Sequence, residues 1–239
     1  MLDGKKILAV VPARGGSQGI KLKNLREIGG LSLVARTGKV VSLVPEIDRS
    51  VVSTDHEAIA AEAEKFGLAA PFRRPEALSG SRIGDLEVLQ HALTTMEVID
   101  AIQYDIILML QPTSPGRKPQ HIRDALDMLI SDNADAVWSV SETDSKAHPL
   151  KQLKVESDHR LSLYDEAGAK IIARQQLTPL YHRNGVVYAF TRACLMEQGN
   201  IMGRNTSAYV MKSDFPNIDT ELDLLWAEFL HSHNLADEY

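Results

Sequence analysis

The chain has 239 residues, of which 44% are hydrophobic, so it is long enough to bury one sizeable core. Its formal net charge is −6 and its Lys and Arg residues are scattered, which argues against a nucleic-acid partner. The single cysteine, Cys194, excludes an internal disulfide and any zinc site built from cysteines.

Up to residue 140, strand-like runs alternate with helix-like patterns. A continuous apolar run predicts a buried strand at Ile7 to Val11, and further strands are predicted at Ser50 to Ser53, Asp105 to Leu110 and Ala136 to Val140. Helical spacing of apolar residues predicts helices at Leu31 to Leu43, His56 to Phe66, Leu86 to Met96 and His121 to Ile130. This alternation is typical of a mostly parallel sheet with helices on both faces, and we expect one α/β domain over residues 1–239.

The pattern changes after Val140. Residues 141 to about 182 alternate polar and apolar side chains with turn formers between them, which predicts a small antiparallel element. Val186 to Phe190 predicts another core strand, and Glu221 to His231 an amphipathic C-terminal helix preceded by Asp219 and Thr220. No segment approaches the ~20 apolar residues of a membrane span, so we expect a cytoplasmic protein without a membrane partner.

The segment VPARGGSQGIKLKN, residues 11 to 24, follows the first predicted strand. Its glycines let backbone N–H groups approach an anion closely, and Arg14, Lys21 and Lys23 supply positive charge. Ligands of open α/β sheets bind at the carboxyl ends of the strands, where this segment begins. The pattern is neither a P-loop nor a dinucleotide fingerprint, but it predicts a polyphosphate site.

The same segment, as PARGGSQGIKLKN, resembles the PARGGSKGIxxKN opening of the acylneuraminate cytidylyltransferases. Five further blocks continue the resemblance in the family's order: VVSTDHEAIAAEAEKFG, RRPEALSG, LMLQPTSPGR, RQQLTPLYHRNGVVY and NIDTELDL. The resemblance implies a Rossmann-like nucleotidyltransferase domain that uses CTP, a free keto acid sugar and Mg²⁺. It also implies a homodimer, with the element at about 141–182 serving dimerisation and the sugar.

Family roles transfer to individual positions of this chain. The resemblance implies catalytic roles for Arg14, Lys23 and Asp219, with Asp219 and Asn217 as the metal ligands. It implies nucleotide contacts from Arg14, Gly15, Gly16, Lys23, Asn24, Arg74 and Gln111. It implies sugar contacts from Gln111, Lys151, Arg174, His182 and Tyr188.

Four of these positions also have a purely structural interpretation. Arg74 could be a surface cation beside a proline turn, Gln111 a strand cap, and Lys151 a solvated side chain. Asp219 could cap the C-terminal helix together with Thr220.

Two further aspartates are equally open. Asp55 and Asp85 lie on the side of the sheet where ligands collect, but either could instead hold a loop or cap a helix.

The chain departs from the family pattern at three places. Gln18 replaces the usual lysine of the glycine-rich turn, and Asn217 replaces the first aspartate of the usual DIDT block. An asparagine can offer a neutral oxygen to a metal but no charge. His182 replaces the usual arginine before the NG pair, with Arg183 directly after it, so the acceptor could differ from N-acetylneuraminate.

The predicted reaction is transfer of CMP from CTP to the anomeric hydroxyl of a sialic-acid-like nonulosonate, with release of pyrophosphate. Three alternatives stay open at this point. The acceptor could be another keto acid, or the enzyme could act on a sugar 1-phosphate. From a different class, the chain could be a non-catalytic CTP-binding protein, because Asn217 removes a carboxylate from the metal site.

Overall fold

The computed structural model describes residue 2, residues 4–212, residues 216–233 and residue 235. Its centre is a six-stranded sheet in the order β10-β6-β9-β5-β1-β4. The strands of the described residues are β1 Ile7–Pro12, β2 Glu27–Ile28, β3 Leu31–Ser32, β4 Arg49–Ser53, β5 Ile106–Met109, β6 Ala136–Glu142, β7 Leu153–Val155, β8 Leu161–Leu163, β9 Tyr181–Thr191 and β10 Thr206–Met211.

Six α-helices accompany these strands in the described part of the chain. They are α1 Leu33–Val41, α2 Glu57–Lys65, α3 Asp85–Asp100, α4 Pro119–Ser131, α5 Arg192–Met196 and α6 Glu221–Ser232. Ser32 begins α1 with a side-chain cap, and Pro119 occupies the first turn of α4, where its missing N–H costs nothing. The predicted helices and strands up to residue 140 are confirmed, with ends that differ by a few residues.

The sheet is mostly parallel, as predicted. Strand β1 pairs in parallel with β4 and β5, and β10 pairs in parallel with β6. Strand β9 is antiparallel to both of its neighbours, β5 and β6. Strand β10 and the short helix α5 were not predicted.

Helices cover both faces of the sheet, which confirms the predicted fold class. Successive residues of β1 point to opposite faces. Ile7 and Val11 pack in one apolar cluster with residues of α1, α2 and α4. Leu8 and Val10 pack in a second cluster with residues of α3 and α5. The continuous apolar sequence of β1 follows from this burial on both faces.

The predicted antiparallel element is also confirmed. Residues 143–180 form an arm between β6 and β9, in which β7 and β8 pair as an antiparallel hairpin. Short 3-10 turns at Pro149–Lys151, Glu166–Lys170 and Arg174–Gln176 complete it. The arm exposes several large apolar side chains, including Leu161 at 65% and Ile172 at 93%.

A small third cluster joins α6 to the N-terminal half of the chain. Ile20, from the glycine-rich segment, shares this cluster with Ile218, just before α6. Leu224 and Ala227 of α6 complete the contact. The C-terminal segment is thereby packed against the loop that follows β1. In the described residues, no helix has both the length and the apolarity that crossing a membrane requires.

Candidate active site

A cavity of about 500 Å³ opens beyond the carboxyl ends of β1 and β5. Its lining comes from residues 12–24, 74–88, 111–113 and 217–219. Seven of the predicted site residues line it: Arg14, Lys23, Asn24, Arg74, Gln111, Asn217 and Asp219. The position agrees with the general rule that open α/β sheets bind ligands at the carboxyl ends of their strands.

The glycine-rich loop is held from two sides. Asp55 accepts a hydrogen bond from the backbone N–H of Gly15 through Oδ1 at 2.8 Å, so this aspartate braces the loop. The amide of Asn24 donates to the carbonyl oxygen of Arg14 at 3.0 Å and is buried. Gly15 and Gly16 belong to this loop without lining the cavity. Both hydrogen bonds fix the backbone of the loop from which the Arg14 side chain extends.

Gly19 allows this loop to meet the segment before α6. A Cβ atom built on Gly19 would overlap the carbonyl oxygen of Asp219, so the two backbones could not approach this closely with another residue there. Lys23 crosses the same junction, with Nζ 2.8 Å from Asp219 Oδ1. A cation of the loop and a carboxylate of the C-terminal segment therefore lie side by side in the cavity wall.

The capping role considered for Asp219 belongs to Thr220. Thr220 Oγ1 accepts from the backbone N–H of Asp223 at 3.3 Å, which is the usual N-cap contact. The Asp223 carboxylate in turn accepts from the backbone N–H groups of Asp219 and Thr220. The Asp219 side chain is 69% exposed, which leaves its carboxylate available to a ligand in the cavity.

Asp219 and Asn217 offer a carboxylate and an amide oxygen on the same short segment. Hard cations such as Mg²⁺ prefer oxygen ligands and commonly take one or two carboxylates together with substrate phosphates. No group of three or more His, Cys, Asp and Glu side chains placed to hold a metal exists among the described residues. The two side chains therefore fit Mg²⁺ only as a partial set that substrate oxygens would complete.

Arg74 is a buried member of the cavity wall, so the surface-cation interpretation is wrong. The residue is only 6% exposed, and its guanidinium donates to the carbonyl oxygen of Ser53. Burial lowers the pKa of Arg74 to about 10. Its Nε atom is buried without a hydrogen-bond partner in the described structure. Because the residue lines the cavity, its guanidinium brings a positive charge to the wall with which a ligand anion would pair.

Gln111 is held by a residue that the sequence reasoning missed. The guanidinium of Arg117 donates to the carbonyl oxygens of Gln111 and Val186, each at 2.5 Å, and to that of Gly185 at 3.2 Å. Arg117 is buried, and burial lowers its pKa to about 9. The residue thus ties the loop after β5 to the middle of β9. The only sequence signal was an arginine at the end of the LMLQPTSPGR block.

The sugar-side residues are not assembled at the cavity of their own chain. Tyr188 is 2% exposed and packs in the apolar cluster with α3, where its hydroxyl accepts from the backbone N–H of Gly185 at 2.8 Å. His182 lies 3.2 Å from Thr143 through Nδ1 and Oγ1. Lys151 and Arg174 lie on the arm. None of these four predicted sugar contacts lines the cavity. Core packing holds Tyr188, the arm carries Lys151 and Arg174, and His182 lies on β9 opposite Ser141 of β6.

Asp85 differs from Asp55 because it lines the cavity. It is the first residue of α3, whose N-cap is Gly84. Its Oδ2 lies 3.5 Å from Nη1 of Arg183, and the Arg183 guanidinium lies 5.2 Å from the centre of the Trp138 ring. Arg183, rather than its neighbour His182, therefore extends toward the cavity wall.

Comparison with known proteins identifies the family of the chain. Residues 8–233 match the family model described as "Cytidylyltransferase". The chain is 31% identical over 228 residues to a CMP-N,N'-diacetyllegionaminic acid synthase of Campylobacter jejuni, covering 95% of each chain. It is 30% identical over 220 residues to an N-acylneuraminate cytidylyltransferase of Escherichia coli, covering 91% of this chain and 50% of that protein.

A solved structure of CMP:2-keto-3-deoxy-manno-octonic acid synthetase complexed with CTP has the same fold. It superposes with a TM-score of 0.69 at 19% identity and covers 96% of this chain and 99% of that one. The resemblance to acylneuraminate cytidylyltransferases, first made from sequence blocks, is confirmed by these relatives.

Proposed function

The chain belongs to the cytidylyltransferase family, and we propose that it transfers CMP from CTP to the anomeric hydroxyl of a sialic-acid-like nonulosonate, with release of pyrophosphate. The observation that carries the proposal is the convergence of Arg14, Lys23, Arg74 and Asp219 on one cavity. Relatives named for legionaminic and N-acylneuraminic acids support a nine-carbon keto acid as the acceptor.

The chain's own residues supply charge and position. Arg14 and Lys23 stabilise negative charge on the triphosphate, and in-line attack of the acceptor hydroxyl on the α-phosphorus breaks its bond to pyrophosphate. Gln111, fixed by Arg117, lies where nucleotide and acceptor meet. Asp219 and the amide oxygen of Asn217 would hold Mg²⁺, which would neutralise phosphate charge and acidify the attacking hydroxyl.

We also propose that the protein is a homodimer. The arm formed by residues 143–180 supports this proposal. Its exposed apolar side chains, among them Leu161 and Ile172, form a surface that a second copy would cover. Lys151 and Arg174 lie on that arm and do not line the cavity of their own chain. A second copy would then carry these cations toward the neighbour's acceptor carboxylate.

The dimer is tested separately from catalysis. Light scattering after size exclusion should give twice the chain mass for the native protein. Leu161→Asp together with Ile172→Asp should give the mass of one chain, because two charges would be buried at the interface. A native protein with the mass of one chain contradicts the dimer proposal.

The reaction is tested by pyrophosphate release from CTP and Mg²⁺ with a panel of free keto acid sugars and a parallel panel of sugar 1-phosphates. We expect turnover with a nonulosonate. Release only with a sugar 1-phosphate overturns the proposed acceptor. Bound CTP without release in either panel identifies a binding protein, the outcome that the loss of a carboxylate at Asn217 makes worth testing.

Asp219→Asn should lower kcat/KM by at least about 100-fold, since it removes the one carboxylate assigned to the cation. Glu221→Gln is the matched control. It removes a charge two residues away, where Glu221 pairs with Arg26 and does not line the cavity. Equal losses in the two variants would contradict the assignment of Asp219.

A further inference from the structure

The arm of residues 143–180 has almost no core of its own. All of its residues lie within the described range 4–212, and His148 is the only one of them that the single chain buries, at 5% exposure. Apolar side chains such as Leu161 and Ile172 face outward instead. A buried imidazole needs hydrogen-bond partners, because an unsatisfied buried polar group is costly. The partners of His148 therefore show what this ring does for the arm.

Both ring nitrogens of His148 have backbone partners. Nδ1 accepts from the backbone N–H of Leu150 at 3.2 Å, which caps the 3-10 turn Pro149–Lys151. Nε2 lies 3.2 Å from the carbonyl oxygen of Thr178. An amide N–H can only donate and a carbonyl oxygen can only accept, so the ring is the neutral tautomer with its proton on Nε2. His148 thus joins its own turn to a segment 30 residues further along the chain.

The two segments that His148 joins carry the two cations assigned to the acceptor. Lys151 is the last residue of the turn that His148 caps. Arg174 begins a second 3-10 turn, and its carbonyl oxygen accepts from the backbone N–H of Leu177 at 3.1 Å. Thr178, the acceptor for Nε2, comes directly after Leu177. The imidazole therefore bridges the backbone segments from which both cations extend.

We propose that His148 is a positioning residue for the acceptor: it fixes the spacing of the backbones that carry Lys151 and Arg174, so that both cations meet the acceptor carboxylate together. A carboxylate has two oxygens and gains most from donors that are held in a fixed arrangement. Both side chains are exposed and long, so backbone spacing is what the fold can set for them. The inference rests on the proposed function, which supplies the acceptor carboxylate and the second copy of the chain.

Two substitutions separate the two hydrogen bonds of the ring. His148→Asn keeps an acceptor near the position of Nδ1, so it can cap the turn at Leu150, but its amide is too short to reach Thr178. His148→Gln is longer, so its amide N–H can donate to the carbonyl oxygen of Thr178. His159→Asn is the matched control. His159 is an exposed histidine between β7 and β8 of the same arm, and asparagine tolerates its φ of 65.

The measurements are kcat and the acceptor KM at saturating CTP, together with CTP affinity by calorimetry. His148→Asn should raise the acceptor KM roughly tenfold, while kcat stays within about threefold and CTP affinity within about twofold of the native values. His148→Gln should recover part of this loss, and His159→Asn should keep the native KM. Light scattering should give every variant the mass of the native protein, because none of the changes adds a charge to the exposed apolar surface.

Lys151→Ala distinguishes positioning from a general loss of arm structure. If His148 acts through Lys151, the double variant His148→Asn/Lys151→Ala should lose less in kcat/KM than the product of the two single losses. Losses that simply multiply would assign His148 to the stability of the arm alone, and would overturn the inference.

A native acceptor KM in His148→Asn also overturns the inference, as does an equal rise in His159→Asn. A loss confined to His148→Gln does so too, because only the cap at Leu150 would then matter. Failure of the proposed function is seen differently, since the native protein then releases no pyrophosphate with any keto acid. Hydrogen exchange judges the link in that case: His148→Asn should speed exchange of the backbone amides of residues 174–178, and unchanged exchange contradicts the link.

Discussion

Gly185 provides a direct test of how Gln111 is placed. The residue has φ +75, and a Cβ atom built on it would lie 2.7 Å from Gln111 Oε1 and 2.7 Å from Ser114 Oγ. An ordinary contact begins at 3.4 Å, so Gly185→Ala has to displace the Gln111 carboxamide by about 0.7 Å. Misplacement of about 1 Å at a reacting centre can cost on the order of 100-fold in rate, so we expect kcat/KM to fall roughly tenfold.

Stability should fall in the same variant for two separable reasons. An alanine in the left-handed region costs roughly 1–2 kcal/mol, and overpacking at this site adds roughly 1–3 kcal/mol. Gly67→Ala isolates the first cost, because Gly67 has φ +85 and no atom within 4 Å of the position of its Cβ. At roughly 2–4 °C per kcal/mol for a chain of this size, Gly185→Ala should lower Tm about twice as much as Gly67→Ala.

The assays are thermal unfolding and pyrophosphate release at matched fractions of folded protein. Gly67 lies outside the cavity wall, so Gly67→Ala should keep the native kcat/KM while losing stability. Gly185→Ala should lose both. If the two variants have the same kcat/KM, contact with Gly185 does not place Gln111 for catalysis, and the reasoning from this overlap is refuted.

Three further predictions follow from buried groups. Arg117→Lys keeps the charge but cannot reach all of the carbonyl acceptors, so urea unfolding should show a loss of roughly 3 kcal/mol. Burial lowers the pKa of His121 to about 4, and its Nδ1 accepts from the backbone N–H of Lys118. Because the folded pKa lies below the ordinary 6.5, this contribution is complete above pH 6.5 and is lost as pH falls toward 4. In His121→Gln, Tm should therefore vary less with pH than in the native protein between pH 4 and pH 6.5, and equally outside that range. Burial raises the pKa of the Cys194 thiol to about 11, so iodoacetamide at pH 8 should label the unfolded chain and spare the native one.

The sequence predicts the sheet well where strands are buried on both faces. Such strands are continuous apolar runs, as in β1, and the intervening helices have clear apolar spacing. Strand β10 was not predicted because it lies at the edge of the sheet and most of its side chains are at least partly exposed. Its sequence therefore lacks the continuous apolar run of a buried strand. The full length of β9 also escaped, because Asn184 and Gly185 look like a turn.

That pair is instead an irregularity inside a continuous strand. The register between β6 and β9 shifts between Trp138 and Val140, opposite this part of β9. Ser139 Oγ donates to Asn184 Oδ1 at 2.6 Å, and Asn184 donates to Ser141 Oγ at 3.1 Å. These contacts join residues 45 and 43 positions apart, so local sequence preferences could not predict them.

The candidate site also contains some residues that the sequence predicted and others that it did not. Residues of the glycine-rich loop, Arg74, Gln111 and Asp219 were identified by blocks of sequence and meet at one cavity. Arg117 was missed because its role depends on carbonyl groups of β9, which no side-chain pattern encodes. The position of Tyr188 could not be foreseen either, since its core packing follows from the strand alternation set by the irregularity in β9.

The cavity is held by contacts that do not depend on its charges. Ile20 and Ile218 share an apolar cluster, and Ile218 donates its backbone N–H to the carbonyl oxygen of Thr113 at 2.8 Å. The Lys23 to Asp219 ion pair crosses the same junction but is partly exposed, and such pairs contribute only about 0–1 kcal/mol. Exchanging that pair for contacts to a triphosphate and a divalent cation therefore costs little. Because the loop and the C-terminal segment stay joined by the isoleucines, both charged groups can change partners without the cavity losing its shape.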